Sequence, residues 1–299
     1  MYSSLLLLLF QISSCSKKIK QEWDSNIIDE LFKTSSVHHP ATIINNDDLD
    51  RAKKNIEKYQ WAKKIQSSII NNANSVINMF KDDSYLDSMI PRTTPATETF
   101  CPNCAKSGGF HSKGTWSWGR SNPDIIKCRK CGMTFPNDKY PEEIAFQSKF
   151  DPEQTITYIN TGPQTCMKYY RCFSSINGLI RGKKIEYTIN RISCLAQAYG
   201  LTGDIKYAEA TKRFLLKFAD RMPKYLVYCA YSYNQYADCD PHYVVQNLPY
   251  LPNIDNKQCP MIVADPENAG DTFFSGYWSA SRLGTSGTDG EYVQVFAEA

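Results

Sequence analysis

Apolar residues recur at helical spacing in two long stretches of the chain. In the first, Leu49, Ala52, Ile56 and Tyr59, then Ala62, Ile65, Ile69 and Ile70, fall mostly three or four positions apart, which is the signature of one apolar helix face. Asn46-Asp47-Asp48 supplies capping side chains, so a helix is expected from Leu49 to about Met79, broken near Tyr59-Gln60. In the second, Ile185, Ile189, Ile192, Leu195, Ala196 and Tyr199 give a helix over Lys184 to Tyr199 one apolar face, with Gly200 at its C-terminal cap. Thr202-Gly203-Asp204 then makes a turn and an N-cap. Tyr207, Ala208, Thr211, Phe214, Leu215 and Phe218 continue a further helix that stops at Pro223. So short a connection predicts antiparallel neighbours, an α-hairpin.

The intervening sequence is less regular. Ser84 to Thr99 is polar and contains proline, and reads as a linker. Phe110, Trp116, Trp118 and Ile125-Ile126 suggest a small β-rich unit closed by Phe135-Pro136-Asn137. Phe150 to Gly182 shows no clear periodicity and reads as irregular. Tyr225 to Tyr250 is a long aromatic loop containing Tyr228, Tyr231, Tyr233, Tyr236 and Tyr243 with Asn234, Gln235 and His242. Tyr with Asn and Gln suits sugar recognition, and a self-packed loop is the plainer alternative. Near the end, Thr288-Asp289-Gly290-Glu291 has capping-box spacing before Tyr292, Val293, Val295, Phe296 and Ala297. No Gly, Pro or basic residue follows that helix, as expected of a piece of something longer.

The strongest chemical signal is Cys101-Pro102-Asn103-Cys104 with Cys128-Arg129-Lys130-Cys131-Gly132, two Cys-x-x-Cys pairs separated by the 23 residues 105–127. Four thiolates on two tight turns suit a tetrahedral zinc ion, and Pro102 and Gly132 suit those turns. Such a site is closed and structural, because no coordination position is left for a catalytic water. A pair of disulfides is the rival, since an exported protein meets an oxidising compartment. Outside Cys15, Cys166, Cys172, Cys194, Cys229, Cys239 and Cys259 remain; Cys166 with Cys172 and Cys229 with Cys239 are close enough for loop staples, and Cys194 sits in a helical pattern as a buried thiol. His38 and His39 read as a loop pair.

Composition narrows the classes. A length of 299 residues with 42% hydrophobic positions allows one large folded domain or two modest ones. A net charge of +3 is too small to indicate a nucleic-acid binder, although Lys106, Lys113, Arg120, Lys127, Arg129 and Lys130, interleaved with aromatics, keep a nucleic-acid-binding zinc ribbon as a minor alternative. Leu5–Leu9, Phe10 and Ile12 form an apolar run too short to span a membrane, ending at Ser13-Ser14-Cys15. That pattern predicts export, with Cys15 as a lipidated residue anchoring a periplasmic or cell-surface lipoprotein, although Met1-Tyr2-Ser3-Ser4 lacks the usual basic residue.

Several stretches together resemble the N-terminal half of heparinase II/III-like polysaccharide lyases, which are related to alginate lyases. They are His39-Pro40 with Asp48-Leu49 and Trp61; the cysteine module with Trp116, Trp118 and Phe135-Pro136; Leu201-Thr202-Gly203-Asp204 with Tyr207-Ala208; Phe218-Ala219-Asp220-Arg221 with Pro223; and Tyr277-Trp278 through Arg282 to Gly290-Glu291. The resemblance implies a mainly α fold, an incomplete (α/α) toroid of antiparallel hairpins with a β-rich, four-cysteine insertion like a zinc ribbon. The expected organisation is a leader at 1–15, a polar tether at 16–38, a helical segment and linker at 39–100, the insertion at 101–137 and the toroid portion at 138–299. It implies β-elimination beside a uronic acid in an acidic polysaccharide: a neutral or cationic side chain offsets the carboxylate, and a Tyr or His moves the proton. In such relatives those groups lie on later elements, so neither Tyr233 nor His242 is assigned the role and this chain alone is expected to be inactive. Tyr277 and Trp278 would stack on sugar rings and Arg282 would pair with carboxylate or sulfate, against an alternative in which they serve core packing and an internal ion pair. A glycan-binding surface lipoprotein without catalysis is the other reading. No nucleic-acid partner is expected.

Overall fold

A computed structural model describes residues 44–95, 100–105, 115–147, 151–160, 164–166, 170–172, 174–225 and 286–299. The leader, the tether, His38 and His39, Phe110, the aromatic loop after Tyr225, and Tyr277, Trp278 and Arg282 lie outside the described residues. What is described is mainly helical with small antiparallel sheets. No toroid of repeated hairpins is visible in it. No helix among the described residues is long and apolar enough to cross a membrane.

Contacts group the described parts of Met1–Ser88, Tyr187–Ala219 and Glu291–Ala299 into one unit, and those of Met89–Glu186 and Asp220–Gly290 into another. The first unit is helical. Helix α1 (Asn46–Lys58) begins three residues before the expected start, because Asn45 is the N-cap. Its side chain accepts from the Asp48 N–H while the Asp48 carboxylate accepts from the Asn45 N–H, a reciprocal capping box. The expected break is at Tyr59, whose extended backbone (φ −115°, ψ 134°) separates α1 from α2 (Gln60–Met79). The buried side of α2 consists of Ala62, Ala73 and Val76. Tyr59 and Ile65, expected on that apolar face, are instead 38% and 53% exposed.

The segment expected to be a linker contains α3 (Asp83–Met89), whose Leu86 and Met89 are buried. So short a run of apolar positions amid polar ones cannot show a period, which leaves the turn invisible to patterning. Helix α5 (Ile176–Thr202) starts eight residues earlier than expected, and Gly200 lies inside it. The actual stop is Gly203, at φ +68°, whose N–H donates to the Tyr199 carbonyl at 2.7 Å. Asp204 then caps α6 (Ile205–Arg221), with Oδ1 accepting from the Lys206 N–H at 3.1 Å. A short 3-10 turn, Met222–Lys224, follows at Pro223.

Helix α2 meets both the later part of α5 and α6 in this unit. Ile69 and Met79 meet Cys194 and Tyr187, so α2 and α5 run in opposite senses. Asn74 and Phe80 meet Tyr207 and Phe214, so α2 and α6 run in the same sense, and Asp87 of α3 pairs further along with Lys217. The core between them is Val76, Phe80, Ile189, Ile192, Leu195, Tyr207, Phe214 and Phe218, all buried. Phe80 and Phe214 meet edge to face at 4.8 Å. Helix α7 (Ser286–Glu298) adds Val293 and Phe296, with Phe296 against Phe218 at 5.1 Å. It starts ahead of Thr288-Asp289-Gly290-Glu291, so those residues are helical and do not form the cap that their spacing suggested.

The second unit has three small sheets. Strands β1 (Trp116–Trp118), β2 (Ile126–Cys128) and β3 (Thr134–Phe135) form an antiparallel sheet in that order, with Trp116 opposite Cys128 and Ile126 opposite Phe135. A one-turn helix, α4 (Pro102–Ala105), precedes it. Strand β4 (Glu142–Gln147) pairs with β5 (Thr155–Ile159), and β6 (Gln164–Cys166) pairs with β7 (Tyr170–Cys172). Much of the stretch expected to be irregular is therefore strand or helix. These strands are short, and β5 buries Ile156, Tyr158 and Ile159 within five residues, so alternation had little length in which to appear.

Candidate metal centre

The four cysteines of the two Cys-x-x-Cys pairs converge, and their Sγ atoms all lie within 4.8 Å of one another. Cys101 immediately precedes the α4 turn and Cys104 lies within it. Cys128 ends β2 and Cys131 lies on the turn beyond it. That turn is closed by the Gly132 N–H donating to the Cys128 carbonyl at 2.9 Å, and by the Cys128 N–H donating to the Met133 carbonyl at 2.9 Å. Gly132 has φ +74°, the left-handed conformation that lets the chain reverse immediately after a ligand.

Distances between pairs carry more information than the overall convergence. Cys101 Sγ is 3.7 Å from Cys131 Sγ, and Cys104 Sγ is 3.9 Å from Cys128 Sγ. Four thiolates at about 2.3 Å from a tetrahedral ion stand about 3.8 Å apart. The arrangement is geometrically that of a structural metal site. The close contacts run between the two Cys-x-x-Cys pairs, and all four sulfurs stand within one coordination sphere of each other.

Burial of the four sulfurs is unequal. Cys101, Cys104 and Cys128 are buried, whereas Cys131 is exposed. Burial pushes the Cys101 and Cys104 thiols up, Cys104 to about 11. At Cys131 burial acts in the same direction but is outweighed by the Met133 N–H and the neighbouring thiols, which bring it down to about 7. Burial thus holds Cys101 and Cys104 in the thiol form, and an ion at the centre would supply the charge that deprotonates them.

The surroundings hold this geometry. Trp116, Ile126, Phe135, Tyr140, Ile159, Ile176, Leu179 and Ile180 form one buried cluster with Cys101, Cys104 and Cys128. The sulfurs are therefore set into a core that β5 and the first turns of α5 help to build. Phe135 meets Trp116 edge to face at 5.9 Å and Tyr140 at 6.0 Å. Tyr140 donates its hydroxyl to Asn103 Oδ1 at 2.8 Å, fixing the turn between the first two cysteines. Asn103 and Tyr140 are the supporting residues that sequence reasoning missed. An amide inside a Cys-x-x-Cys was the available signal, but its partner is 37 positions away. Lys184, buried on α5, pairs with the exposed Asp124 of the β1–β2 loop.

Other sequence expectations fare differently. Cys166 and Cys172 fall on the paired strands β6 and β7, two register positions apart. Cys194 is half-buried, with Sγ 3.9 Å from the Ile69 carbonyl, and burial pushes its thiol up. All four histidines, at 38, 39, 111 and 242, lie outside the described residues. The chain matches no family model, no curated protein and no solved structure.

Proposed function

We propose that this chain is a zinc-stapled helical scaffold of the heparinase II/III-like polysaccharide-lyase type, exported and directed at a uronic-acid-containing polysaccharide. The observation that carries the reading is where the resembling segments fall. Trp116, Trp118 and Phe135 belong to one small sheet and pack with Cys101, Cys104 and Cys128, and Pro136 follows directly. Leu201-Thr202 ends one long helix and Gly203-Asp204 makes the turn to the next, from which Tyr207 donates its hydroxyl to Asn74. Segments that resemble one family in sequence thus occupy structurally coherent positions within each unit.

Zinc is the ion of choice for a four-cysteine set, since soft thiolates and tetrahedral spacing favour it over the oxygen-loving cations. Its role is to hold the second unit together. Four protein ligands leave no position for substrate or water, so β-elimination belongs to other groups. That chemistry needs one side chain to offset the uronate charge and another to take the C5 proton and return it to the leaving oxygen.

The decisive measurement is glycan retention and turnover together with metal content. Purified protein would be incubated with heparan sulfate, alginate and related polyuronates, following the absorbance of the unsaturated product and, in parallel, retention of the protein on the immobilised polysaccharides. Retention on acidic but not neutral polysaccharides is expected, and no turnover by this chain alone. Folded, metal-loaded protein that neither cleaves nor binds any acidic glycan would overturn the reading. Metal analysis after reducing purification should give about one zinc per chain; less than about half an equivalent would remove the zinc assignment.

A further inference from the structure

Helix α2 is unusual in what it shows to water. Trp61 is 57% exposed, Ile65 53% and Tyr59 38%. Trp61 and Tyr59 are stacked across the helix break, with ring centroids 6.0 Å apart and planes within 19° of parallel. The ammonium of Lys58 lies 5.0 Å from the centre of the Tyr59 ring. Tyr59 therefore backs the indole, and the indole is left as a broad apolar face beside a positive charge. Exposed rings this size cost solvation and have no packing role, so a ligand is a physical reason to keep them.

The charges beside the rings are of one sign. Among its 20 residues α2 carries no Asp or Glu, and its only charges are Lys63 and Lys64. Both are exposed, and no ion pair involves them or Lys58 among the described residues. Glu57 is the one nearby acid in sequence. Beginning at Gln60, next to Trp61 in sequence, an open groove of about 420 Å³ follows the helix, lined by Gln60, Lys63, Lys64, Ser67, Ser68, Asn71 and Asn72. Amides and hydroxyls both donate and accept, as sugar hydroxyls require. An apolar helix or a lipid tail would find few partners in such a groove.

We infer that the Tyr59–Trp61 pair and the polar groove of α2 form a binding subsite for an anionic oligosaccharide. One pyranose stacks its C–H face on Trp61, its carboxylate or sulfate meets Lys58 or Lys64, and the next units follow Ser68 and Asn72. This rests on the proposed polyuronate reading and adds to it a specific place of contact.

Calorimetric titration of the full metal-loaded chain with a polyuronate hexamer, a heparin-derived hexasaccharide, a neutral dextran hexamer and oligothymidylate tests this. The wild type should bind at least one of the two acidic probes, and Trp61→Ala should weaken that binding at least tenfold while Trp61→Phe retains most of it. Lys58→Gln with Lys64→Gln should weaken it and flatten its salt dependence. The ring is solvent-exposed, so Trp61→Ala should leave the circular dichroism and Tm unchanged, which separates lost contact from lost fold. Wild-type binding that Trp61→Ala does not alter would overturn the subsite and leave the polyuronate reading standing. No wild-type binding to either acidic probe would overturn both. Equal binding of dextran, or tighter Trp61-dependent binding of oligothymidylate, would overturn the anionic-sugar assignment.

Discussion

The two units solve the same problem with different materials. The helical unit fills its interior with large side chains from long elements: Phe80, Phe214, Phe218, Ile189, Ile192 and Leu195. The cysteine unit has strands of two to six residues, each of which contributes only a few side chains to a core. Its core places three cysteines where further apolar side chains would otherwise stand. A short-stranded unit gains from a bound ion what a helical one gains from area, because metal binding to a site absent in the unfolded chain is folding free energy.

Removing the metal should separate the units most sharply. Chelation, or Cys101→Ser with Cys128→Ser, should abolish the near-ultraviolet signal of Trp116 and Trp118 and open the cysteine unit to proteolysis. Amides of α2 and α6 should keep most of their protection from hydrogen exchange. Equal loss of protection in both units would break the contrast. The converse experiment is Phe214→Ala, which removes a fully buried ring from the contact with Phe80. It should cost about 3–5 kcal/mol in denaturant unfolding while zinc content stays at one equivalent.

A smaller effect is expected at Glu142. Its carboxylate accepts from the Asn177 N–H at 2.8 Å at the start of α5 and also from the Thr157 hydroxyl. Burial pushes this carboxyl up, outweighing the bonds from Thr157 and Asn177 and the charge of Arg181. A raised folded-state value means that the native chain holds the proton more tightly than the unfolded one. Glu142 should therefore cost stability as pH rises from the ordinary carboxylate range through its folded value, and favour the fold below it. Unfolding curves across mildly acidic pH should show that slope, and Glu142→Gln should flatten it. A wild type and variant with parallel pH profiles would remove the assignment.

The finest comparison uses one substitution in both units. Gly203 and Gly132 both have positive φ, and a methyl at either meets nothing closer than 3.9 Å. Alanine should cost about 1 kcal/mol of backbone strain at each. At Gly132 it should also weaken zinc retention against a competing chelator, whereas at Gly203 it should leave retention untouched.

What the sequence made legible follows the same division. Length and amphipathic repetition exposed α1, α2, the later part of α5, and α6, including the break at Tyr59. The cysteine spacing pointed to its cluster because ligand chemistry is local: two residues between partners, a proline and a glycine. Neither signal reaches β4 to β7 or the first turns of α5. Ile176, Leu179 and Ile180 do stand at i, i+3 and i+4, but three positions are too short a run to mark a helix start, and with Ile159 they are buried around the cysteines. Tyr59 and Ile65 show the opposite failure, since they fit the periodic face and yet stand in water. Periodicity says which residues share a side of a helix, and only the neighbours decide whether that side is covered.

The uneven burial of the four sulfurs bears on time as much as on affinity. Cys101, Cys104 and Cys128 are buried and Cys131 is exposed, so an ion held by the four would be approached from solvent at Cys131. Exchange with a chelator or a metal-delivering thiol begins by replacing a bond, and that sulfur is the accessible one. The residence time of such an ion would thus be gated at one position, while its equilibrium hold would be shared among four. A bulky neighbour shielding Cys131 would slow metal turnover without making the site any tighter.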